Sequence, residues 1–421
     1  MRRRDANFGL TGIRAVISSI IPLELPTEPP ANVNSAMRII MQYRIFPKIP
    51  DQPVSILGFG CMRLPLLDGD MEHIDEPRAT RLLRDAIDAG INYVDTAYPY
   101  HNGRSETFLG QALRGGFRER IQLATKCPTW LVQSEADWER FLEQQLSRLE
   151  TDRIDFYLLH ALNGELWETV KRFGGLKALD RARMDGRIRH AGFSFHGSPT
   201  AFAEILDGYD WEFCQIQFNF LDVDYQAGTE GLRRAAARGV GVIAMEPLRG
   251  GILAAGPPEP VQAIWARFKG TRTPAEWAWR WVWHHPEVIT ALSGMNTEDQ
   301  LHENLALADV VRPNSLAEEE LRLIAEVRAY FLQRMQIPCT TCGYCLPCPS
   351  GVAIPDVFSM VNTAAMFEAR DATSRLYQFL LVARRHGADA CIECGECIPK
   401  CPQAIPIPDK LREAHELLFR K

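Results

Sequence analysis

The sequence lacks the long apolar runs of a membrane protein and the excess of one charge that marks many nucleic-acid-binding proteins. No apolar run in the 421 residues reaches the roughly 20 residues that a helix needs to span a bilayer. The net charge of -6 gives no field that would attract nucleic acid or an anionic membrane surface. The hydrophobic content of 46% is sufficient for a large core. We therefore expect neither nucleic acid nor a membrane as a partner.

Cysteine is scarce in most of the chain and abundant near its end. Three of the 11 cysteines fall within the first 338 residues, and the other eight lie between Cys339 and Cys401. Disulfide frameworks of that density belong to small secreted domains, whereas this chain has a large core and no convincing export signal. We therefore expect reduced thiols and a cytoplasmic protein.

The first 40 residues show no periodic pattern. Arginines at positions 2–4 are followed by an apolar stretch over residues 15–25 and then by a Pro-rich part. A twin-arginine export signal would fit this opening, but Arg14 breaks the apolar segment and no small-residue cleavage site follows. We interpret residues 1–40 as a disordered extension, or as the result of a start codon assigned too far upstream.

Short apolar runs alternate with amphipathic helical segments from Tyr43 onward. Eight such runs followed by helices predict an α/β fold, a (β/α)8 TIM barrel. An open doubly wound sheet is the alternative, but Gly58 and Gly60 are not followed by the third glycine of a dinucleotide-binding turn. The predicted strands cover residues 55–64, 91–96, 121–126, 154–160, 188–194, 213–218, 240–245 and 288–293.

Polar side chains fall at the ends of three successive predicted strands. Asp95, Lys126 and His160 end the second, third and fourth strands, and Tyr100 lies in the loop after Asp95. The carboxyl ends of barrel strands meet at one mouth, where barrel enzymes carry their active sites. Each residue alone has a structural explanation as a cap, a packing residue or a buried histidine. Their joint appearance predicts a catalytic site.

Three strings in this part of the chain resemble the aldo-keto reductase family. They are GFGCMR at 58–63, NYVDTAYPY at 92–100 and LLH at 158–160, and the resemblance extends over about residues 43 to 330. It implies a barrel enzyme that uses NAD(P)H to reduce a carbonyl compound or oxidise an alcohol. It also assigns the family's catalytic Asp, Tyr, Lys and His to the four residues above.

The chemistry explains why these four residue types are needed. Hydride transfer to a carbonyl develops negative charge on oxygen, so a proton donor must stand beside it, and a tyrosine with a pKa of about 10 is a reluctant donor. We expect the Lys126 ammonium to lower the pKa of Tyr100 and Asp95 to keep that ammonium charged. His160 would orient the substrate carbonyl.

The resemblance also implies a nicotinamide site that departs from the family pattern. Phe195 stands where the family has an Asn, and Met245 stands where an aromatic ring stacks on the nicotinamide. NADPH-specific members have a Lys and an Arg where this chain has Gly294 and Gln300, so we expect a weaker NADP preference, with NAD or both cofactors used. The candidate cofactor residues are Ser194, Gln215, Met245, Pro247, Leu248, Ser293, Met295, Gln300, Glu303 and Asn304.

The clustered cysteines form two runs that each end in Cys-Pro. The second run has the full C-x2-C-x2-C-x3-C-P spacing of bacterial ferredoxins, and the first is one residue shorter in its last interval. Zinc motifs separate two cysteine pairs by a loop, which favours iron-sulfur over zinc. We therefore predict two [4Fe-4S] clusters. The ligands are Cys339, Cys342, Cys345, Cys348, Cys391, Cys394, Cys397 and Cys401.

The cysteine region resembles the α-helical dicluster ferredoxin type, because helical patterns at 354–369 and 372–386 separate the runs. In two-cluster ferredoxins the fourth cysteine of each run binds the other cluster. Carried over, that rule joins Cys401 to the first three cysteines of the first run, and Cys348 to the first three of the second.

We expect an aldo-keto reductase-like barrel at 41–332 and a dicluster domain at 333–421 that exchanges electrons with a ferredoxin or another redox protein. Hydride chemistry moves two electrons at once and each cluster passes one, and no flavin motif bridges them. Two alternatives therefore stay open. In one, the clusters regulate or stabilise an ordinary reductase. In the other, the chain is an electron-transfer module whose barrel is not a carbonyl reductase.

The cluster assignment predicts that Cys394→Ser lowers both the iron content and the visible absorbance by about one cluster, because a [4Fe-4S] cluster needs four thiolates. An iron count and an absorption spectrum of the anaerobic protein measure this. Retention of about eight irons per chain would contradict the role of Cys394.

Overall fold

The computed structural model describes residues 40–67, 73–340 and 343–419. The interpretation of residues 1–40 therefore lies outside the described residues except for Ile40, and the predicted ligand Cys342 also lies outside them. In the described part of the chain, no helix is both long enough and apolar enough to cross a membrane.

Eight parallel strands close into a barrel in the order β10-β3-β4-β5-β6-β7-β8-β9, which confirms the predicted (β/α)8 fold. Their side chains are almost all buried, because helices cover the outer face and packed side chains fill the interior. The strands are β3 Leu57–Gly60, β4 Tyr93–Asp95, β5 Gln122–Cys127, β6 Ile154–Leu162, β7 Ile188–Phe195, β8 Phe213–Gln217, β9 Gly241–Met245 and β10 Val288–Ser293.

Helices follow the strands and begin where the sequence supplies caps. Thr273 and Thr297 accept hydrogen bonds from the third backbone N–H of their helices, as N-cap residues do. The helices of the barrel region are α1 Glu76–Asp88, α2 Arg104–Ala112, α3 Glu135–Arg148, α4 Gly164–Arg172, α5 Gly175–Met184, α6 Pro199–Asp207, α7 Gly228–Ala237, α8 Glu259–Trp265, α9 Pro274–His284, α10 Glu298–Val310 and α11 Glu318–Arg334.

The single strand predicted at residues 55–64 is wrong. The chain there ends one strand of a hairpin at Ser55, starts β3 at Leu57 and enters a 3-10 turn at Cys61–Arg63. The reason is a change of direction, because the chain passes from the hairpin beneath the barrel into its wall. The Ser55 hydroxyl donates to the Leu57 carbonyl at 2.8 Å across this corner.

The hairpin of β1 (Tyr43–Phe46) and β2 (Ile49–Ser55) closes the amino-terminal end of the barrel. The fully buried Phe46 ring lies 5.3 Å from the Phe156 ring and 6.0 Å from the Phe213 ring. Gly241 faces it, and a Cβ at that position would lie 2.1 Å from the Phe46 ring. With this end plugged, the mouth formed by the carboxyl ends of the strands is the open one.

Alternating tryptophans on α9 belong to the core. Trp277, Trp279, Trp281 and Trp283 are all buried, and Trp277 stacks on Trp265 with ring centroids 4.3 Å apart. Stacked indoles contribute packing area rather than a ligand pocket.

A second, smaller core follows α11. Its helices are α12 Ile354–Met366, α13 Arg370–Leu376 and α14 Ile407–Leu418, and the cysteine runs pack around them. The helix predicted at 372–386 is α-helical only as far as Leu376 and continues as a π-helix at Tyr377–Leu381 and a 3-10 helix at Val382–Arg384. Tyr377, at the start of the π-helix, is buried, and its hydroxyl accepts the Ala388 N–H at 3.0 Å.

Phe46 fills the closed end of the barrel, so we expect Phe46→Ala to lower the free energy of unfolding by about 3–5 kcal/mol, because the substitution leaves a cavity among aromatic rings. Urea unfolding under anaerobic conditions, followed by far-ultraviolet circular dichroism, measures the loss. The half-exposed Ile45 of the same strand is the matched control, and Ile45→Ala should change stability by about 0.5 kcal/mol or less. Equal losses of stability in the two variants would contradict the role of Phe46 in closing this end of the barrel.

Candidate active site and cysteine-lined cavity

The ends of β4, β5 and β6 bring together the four residues predicted to be catalytic. The Lys126 ammonium donates to Asp95 Oδ1 at 2.7 Å and to the Tyr100 hydroxyl at 3.4 Å. The Tyr100 and His160 rings lie 6.3 Å apart. Two opposite charges, a phenol and an imidazole thus share one corner of the mouth.

Lys126 and Asp95 form an ion pair that is almost completely withdrawn from water, with side chains 0% and 2% exposed. Burial lowers the pKa of Lys126 and raises the pKa of Asp95, and their mutual contact opposes both shifts. A third bond, from the ammonium to the Thr96 carbonyl at 2.7 Å, uses another Lys126 donor. The ammonium thus has three hydrogen-bond partners, whereas Asp95 Oδ2 is buried and accepts no hydrogen bond from the described residues.

The expected lowering of the Tyr100 pKa is wrong for this state of the protein. Burial raises the pKa of Tyr100 well above its ordinary value, and Asp95 raises it further, while Arg63 opposes the shift. Burial wins because the phenolate loses its hydration and the nearest ammonium is already neutralised by Asp95. Tyr100 therefore keeps its proton at neutral pH.

A buried polar group behind the strand holds Lys126 in position. Gln145 of α3 donates to the Lys126 backbone carbonyl at 3.0 Å and to Glu106 Oε1 at 2.6 Å. Thr125 and Arg148 also donate to the Glu106 carboxylate. We did not predict these residues, although a Glu on the apolar face of a predicted helix was a signal for a buried partner.

His160 meets a residue from the cysteine-rich region. The hydroxyl of Tyr344, which follows Gly343 and precedes Cys345, lies 2.7 Å from His160 Nε2. Burial lowers the pKa of His160 well below its ordinary value, with Lys126 and His196 adding to the effect. The imidazole is therefore neutral at neutral pH. Nothing in the sequence pattern indicated Tyr344, because its partner is 184 positions away.

Asp95, Tyr100, Lys126 and His160 are called the tetrad below. Residues predicted to hold the nicotinamide lie beside the tetrad on β7, β8 and β9. Gln215 Nε2 lies 3.6 Å from the Met245 sulfur, while Gln215 Oε1 is buried and accepts no hydrogen bond from the described residues. An unpaired buried carbonyl oxygen suits a ligand amide donor. Ser194 Oγ accepts the Ala161 N–H at 2.8 Å, and Phe195 is buried in the core.

Residues predicted for the adenosine end make hydrogen bonds within the protein. Asn304 donates to Ser293 Oγ at 3.0 Å, Gln300 Oε1 accepts the Asn296 N–H at 2.9 Å, and Glu303 accepts the Thr273 hydroxyl at 2.6 Å. Met295 is buried beside them. These contacts order the loop that precedes α10, whose amino terminus is the kind of place that binds phosphate.

The Arg63 side chain lies against Gly294 of this loop. Its side-chain carbons pass so close to Gly294 that a Cβ there would lie 3.2 Å from the Arg63 Cβ. A larger residue at position 294 would therefore require the Arg63 side chain to shift by a few tenths of an ångström.

Glu246 is a further residue of the mouth that we did not predict. It follows Met245 and has a left-handed backbone with φ of 54°, and Pro247 and Leu248 come after it. Burial raises the pKa of Glu246 to about 7, against the opposing charges of Arg63 and Arg249. Thr340, in the segment that leads to the cysteine runs, hydrogen bonds to it.

The described cysteines of the two runs stay free of disulfides, and five of them line one cavity, namely Cys345, Cys348, Cys391, Cys394 and Cys397. Burial raises the pKa of Cys397, and the neighbouring Cys348, Cys391 and Cys394 raise it further. In the described part of the chain, no three or more His, Cys, Asp or Glu side chains converge closely enough for a single metal ion.

The charges of Cys348, Cys391 and Cys394 act on Cys397, and these four residues form one of the two expected ligand sets, while Cys345 of the other set lines the same cavity. Backbone and hydroxyl groups also contact these sulfurs. The Glu393 N–H donates to Cys391 Sγ at 3.4 Å, and Ser350 Oγ lies 3.3 Å from Cys348 Sγ. Such donors tune the charge on cluster sulfurs. The cavity is therefore suited to an iron-sulfur cluster.

Cys401 and its neighbours lie against the barrel mouth. The charge of Cys401 raises the pKa of Tyr225, in the loop after β8, though less than burial and Asp222 do. Gln226 donates to Gln403 Oε1 at 2.9 Å, across 177 positions of sequence. The cysteine-rich region thus packs on the open end of the barrel.

Known proteins resemble both parts of the chain. The profile of the Aldo/keto reductase family matches residues 56–328, and that of the 4Fe-4S dicluster domain matches residues 338–405. The uncharacterized oxidoreductase YqkF of Bacillus subtilis is 26% identical over 305 residues, which cover 65% of this chain and 92% of that protein.

Two solved structures share the barrel. The holo form of aldo-keto reductase AKR11C1 from Bacillus halodurans is 28% identical, with a TM-score of 0.57 over 68% of this chain and 96% of that one. A putative aldo-keto reductase from Pseudomonas aeruginosa is 25% identical, with a TM-score of 0.51 over 65% of this chain and 98% of that one. The closed barrel and the match over most of its length show that the chain belongs to the aldo/keto reductase family and carries a 4Fe-4S dicluster domain after the barrel.

Proposed function

We propose that the chain is an NAD(P)-dependent oxidoreductase that reduces a small carbonyl compound, or oxidises the corresponding alcohol, with Tyr100 as the general acid or base. The observation that supports this best is the buried Lys126 ammonium, bonded to Asp95 at 2.7 Å and to the Tyr100 hydroxyl at 3.4 Å. Neutral His160 stands beside them.

Each residue has a separate role in this proposal. The nicotinamide, when bound, supplies or accepts the hydride. Tyr100 gives its proton to the oxygen that becomes negative, and Lys126 stabilises the phenolate left behind. Asp95 keeps Lys126 charged, and His160 positions the substrate oxygen through Nε2.

The proposed cofactor contacts use residues that line the same mouth. Gln215, with its unpaired Oε1, and Ser194 would hold the carboxamide, and Met245 would pack against the ring through its polarizable sulfur. Gly294 and Gln300 carry no charge for a 2′-phosphate, so we propose NAD, or both cofactors, rather than strict NADP use.

We also propose that the dicluster domain holds two [4Fe-4S] clusters and exchanges electrons with a ferredoxin or another redox protein. One ligand set comprises Cys348, Cys391, Cys394 and Cys397, and the other comprises Cys339, Cys342, Cys345 and Cys401. Free thiols at the described positions support a reducing compartment such as the cytoplasm.

A second candidate is an electron-transfer module whose barrel does not turn over carbonyls. Phe195 and Met245 favour it, because they replace the amide and the aromatic ring that the family resemblance implies at the nicotinamide. Anaerobic assays of aldehyde reduction with NADH and NADPH separate the two candidates.

The tetrad predicts that Tyr100→Phe lowers kcat for aldehyde reduction by about 10²–10⁴-fold, because the proton donor is lost while the ring remains. Steady-state rates of the anaerobic holoprotein measure this. Tyr98→Phe is the matched control and should keep its rate, since the Tyr98 hydroxyl bonds to Gln144 rather than to the tetrad. Full activity in Tyr100→Phe would refute the assignment.

The raised pKa of Tyr100 predicts opposite pH profiles for the two directions. A phenol with a raised pKa stays protonated to higher pH, so kcat for carbonyl reduction should not fall until above about pH 10. Alcohol oxidation needs the phenolate, whose fraction grows about tenfold per pH unit below the pKa, so its kcat should rise from about pH 6 to about pH 10. Initial rates between about pH 6 and pH 10 test this, and a reduction rate that halves near neutral pH would be inconsistent with it.

A further inference from the structure

A tyrosine of the cysteine-rich region stands inside the barrel mouth. The Tyr344 ring centroid lies 5.7 Å from that of His160, 5.9 Å from that of Trp130 and 5.8 Å from that of His196. These neighbours come from the loops and strand ends of β5, β6 and β7. Three rings of the barrel therefore surround one ring that the barrel does not supply.

The Tyr344 hydroxyl is hydrogen bonded to His160 of the proposed catalytic site. It lies 2.7 Å from His160 Nε2, the atom that positions the substrate oxygen in the proposed function. Each nitrogen of a neutral imidazole either donates or accepts one close hydrogen bond. The hydroxyl of Tyr344 and a substrate oxygen therefore compete for the same nitrogen.

Described residues near Tyr344 in the sequence contact the barrel and the cysteine-lined cavity. Cys345 follows directly and lines the cysteine cavity. On the other side, Thr340 accepts a hydrogen bond from Gln403 at 3.3 Å, and Gln403 in turn accepts one from Gln226 of the barrel at 2.9 Å. The ring is thus placed by contacts to the barrel and by its neighbour in the cysteine run.

We propose that Tyr344 is a specificity-determining residue that the dicluster domain contributes to the active site of the barrel. The inference rests on the proposed function and deepens it, because it names the substrate class. With the Tyr344 and Trp130 rings at the mouth, the site takes small aliphatic carbonyl compounds, whose oxygen displaces the Tyr344 hydroxyl from His160. Larger aromatic aldehydes would clash with the Tyr344 ring.

The first experiment measures KM and kcat of the anaerobic holoprotein with propanal and benzaldehyde. Tyr344→Phe keeps the ring and removes the competing hydroxyl, so KM for propanal should fall about threefold to tenfold with kcat unchanged, the factor that one exchanged hydrogen bond contributes. Tyr344→Ala also opens space, so KM for benzaldehyde should fall at least about tenfold more than KM for propanal.

Tyr43→Phe is the control for these variants. Tyr43 lies on the hairpin at the closed end of the barrel, and its hydroxyl donates to the Gly90 carbonyl. Both KM values should therefore stay those of wild type. An unchanged KM in Tyr344→Phe, or equal changes for both aldehydes in Tyr344→Ala, would overturn the proposal.

A second experiment does not need turnover. Phenol should bind to Tyr344→Ala, measured by anaerobic calorimetry, because it refills the space and restores the bond to His160. Toluene should bind more weakly, and wild type should bind neither. If Tyr344→Ala holds less iron than wild type, Tyr344→Leu replaces it. Equal phenol binding by wild type and variant, or no binding by an iron-replete variant, would overturn the placement of Tyr344.

The two experiments separate this inference from the proposed function. If wild type and Tyr43→Phe reduce no aldehyde with NADH or NADPH, the proposed function fails. The phenol measurement still decides whether Tyr344 fills the site at His160.

Discussion

The buried ion pair of Lys126 and Asp95 is the interaction on which the active site depends. Taking two charges out of water costs several kcal/mol for each, and only a close and fully bonded pair recovers that cost. The structure meets part of this condition: the ammonium bonds to Asp95 Oδ1 and to the Thr96 carbonyl at 2.7 Å, while Asp95 Oδ2 is buried and accepts no hydrogen bond from the described residues. Gln145 and Glu106 in turn hold the strand that carries Lys126. Removing one member of such a pair is costly, so the corner is rigid where chemistry needs it to be.

The second constraint is the contact between the dicluster domain and the barrel mouth. Tyr344 touches His160, Thr340 bonds to Glu246, and Gln403 bonds to Gln226. These contacts bring the first cysteine run next to the tetrad. One side chain of the dicluster domain thereby contacts the histidine that we propose to be catalytic. The arrangement couples the two parts of the chain through one ring and a few polar bonds.

Glu246 links the contact between the two domains to the electrostatics of the active site. Its pKa of about 7 follows from burial, opposed by Arg63 and Arg249, and its charge is one of the influences that raise the pKa of Tyr100. Protonation of Glu246 therefore changes the field at the phenol as well as the bond to Thr340. It occupies the position after Met245, where the proposed nicotinamide contacts end on β9.

The sequence by itself determined the barrel, the three strand-end residues with Tyr100, and the cysteine runs, because each depends on local sequence order. Short apolar strands, helices with caps, and Cys-x2-Cys spacing need no knowledge of distant residues. The closed strand order confirmed the fold. Element ends were less accurate, as at residues 55–64, where the turn beneath the barrel depends on the hairpin.

Only the tertiary structure decided what lies around those residues. Tyr344 meets His160 across 184 positions, and Gln403 meets Gln226 across 177, so no local pattern could pair them. The pKa of Tyr100 is likewise a property of its surroundings, since burial outweighs the neighbouring cations. Sequence order gave the chemical groups, whereas burial and long-range packing decided their charge states and their partners.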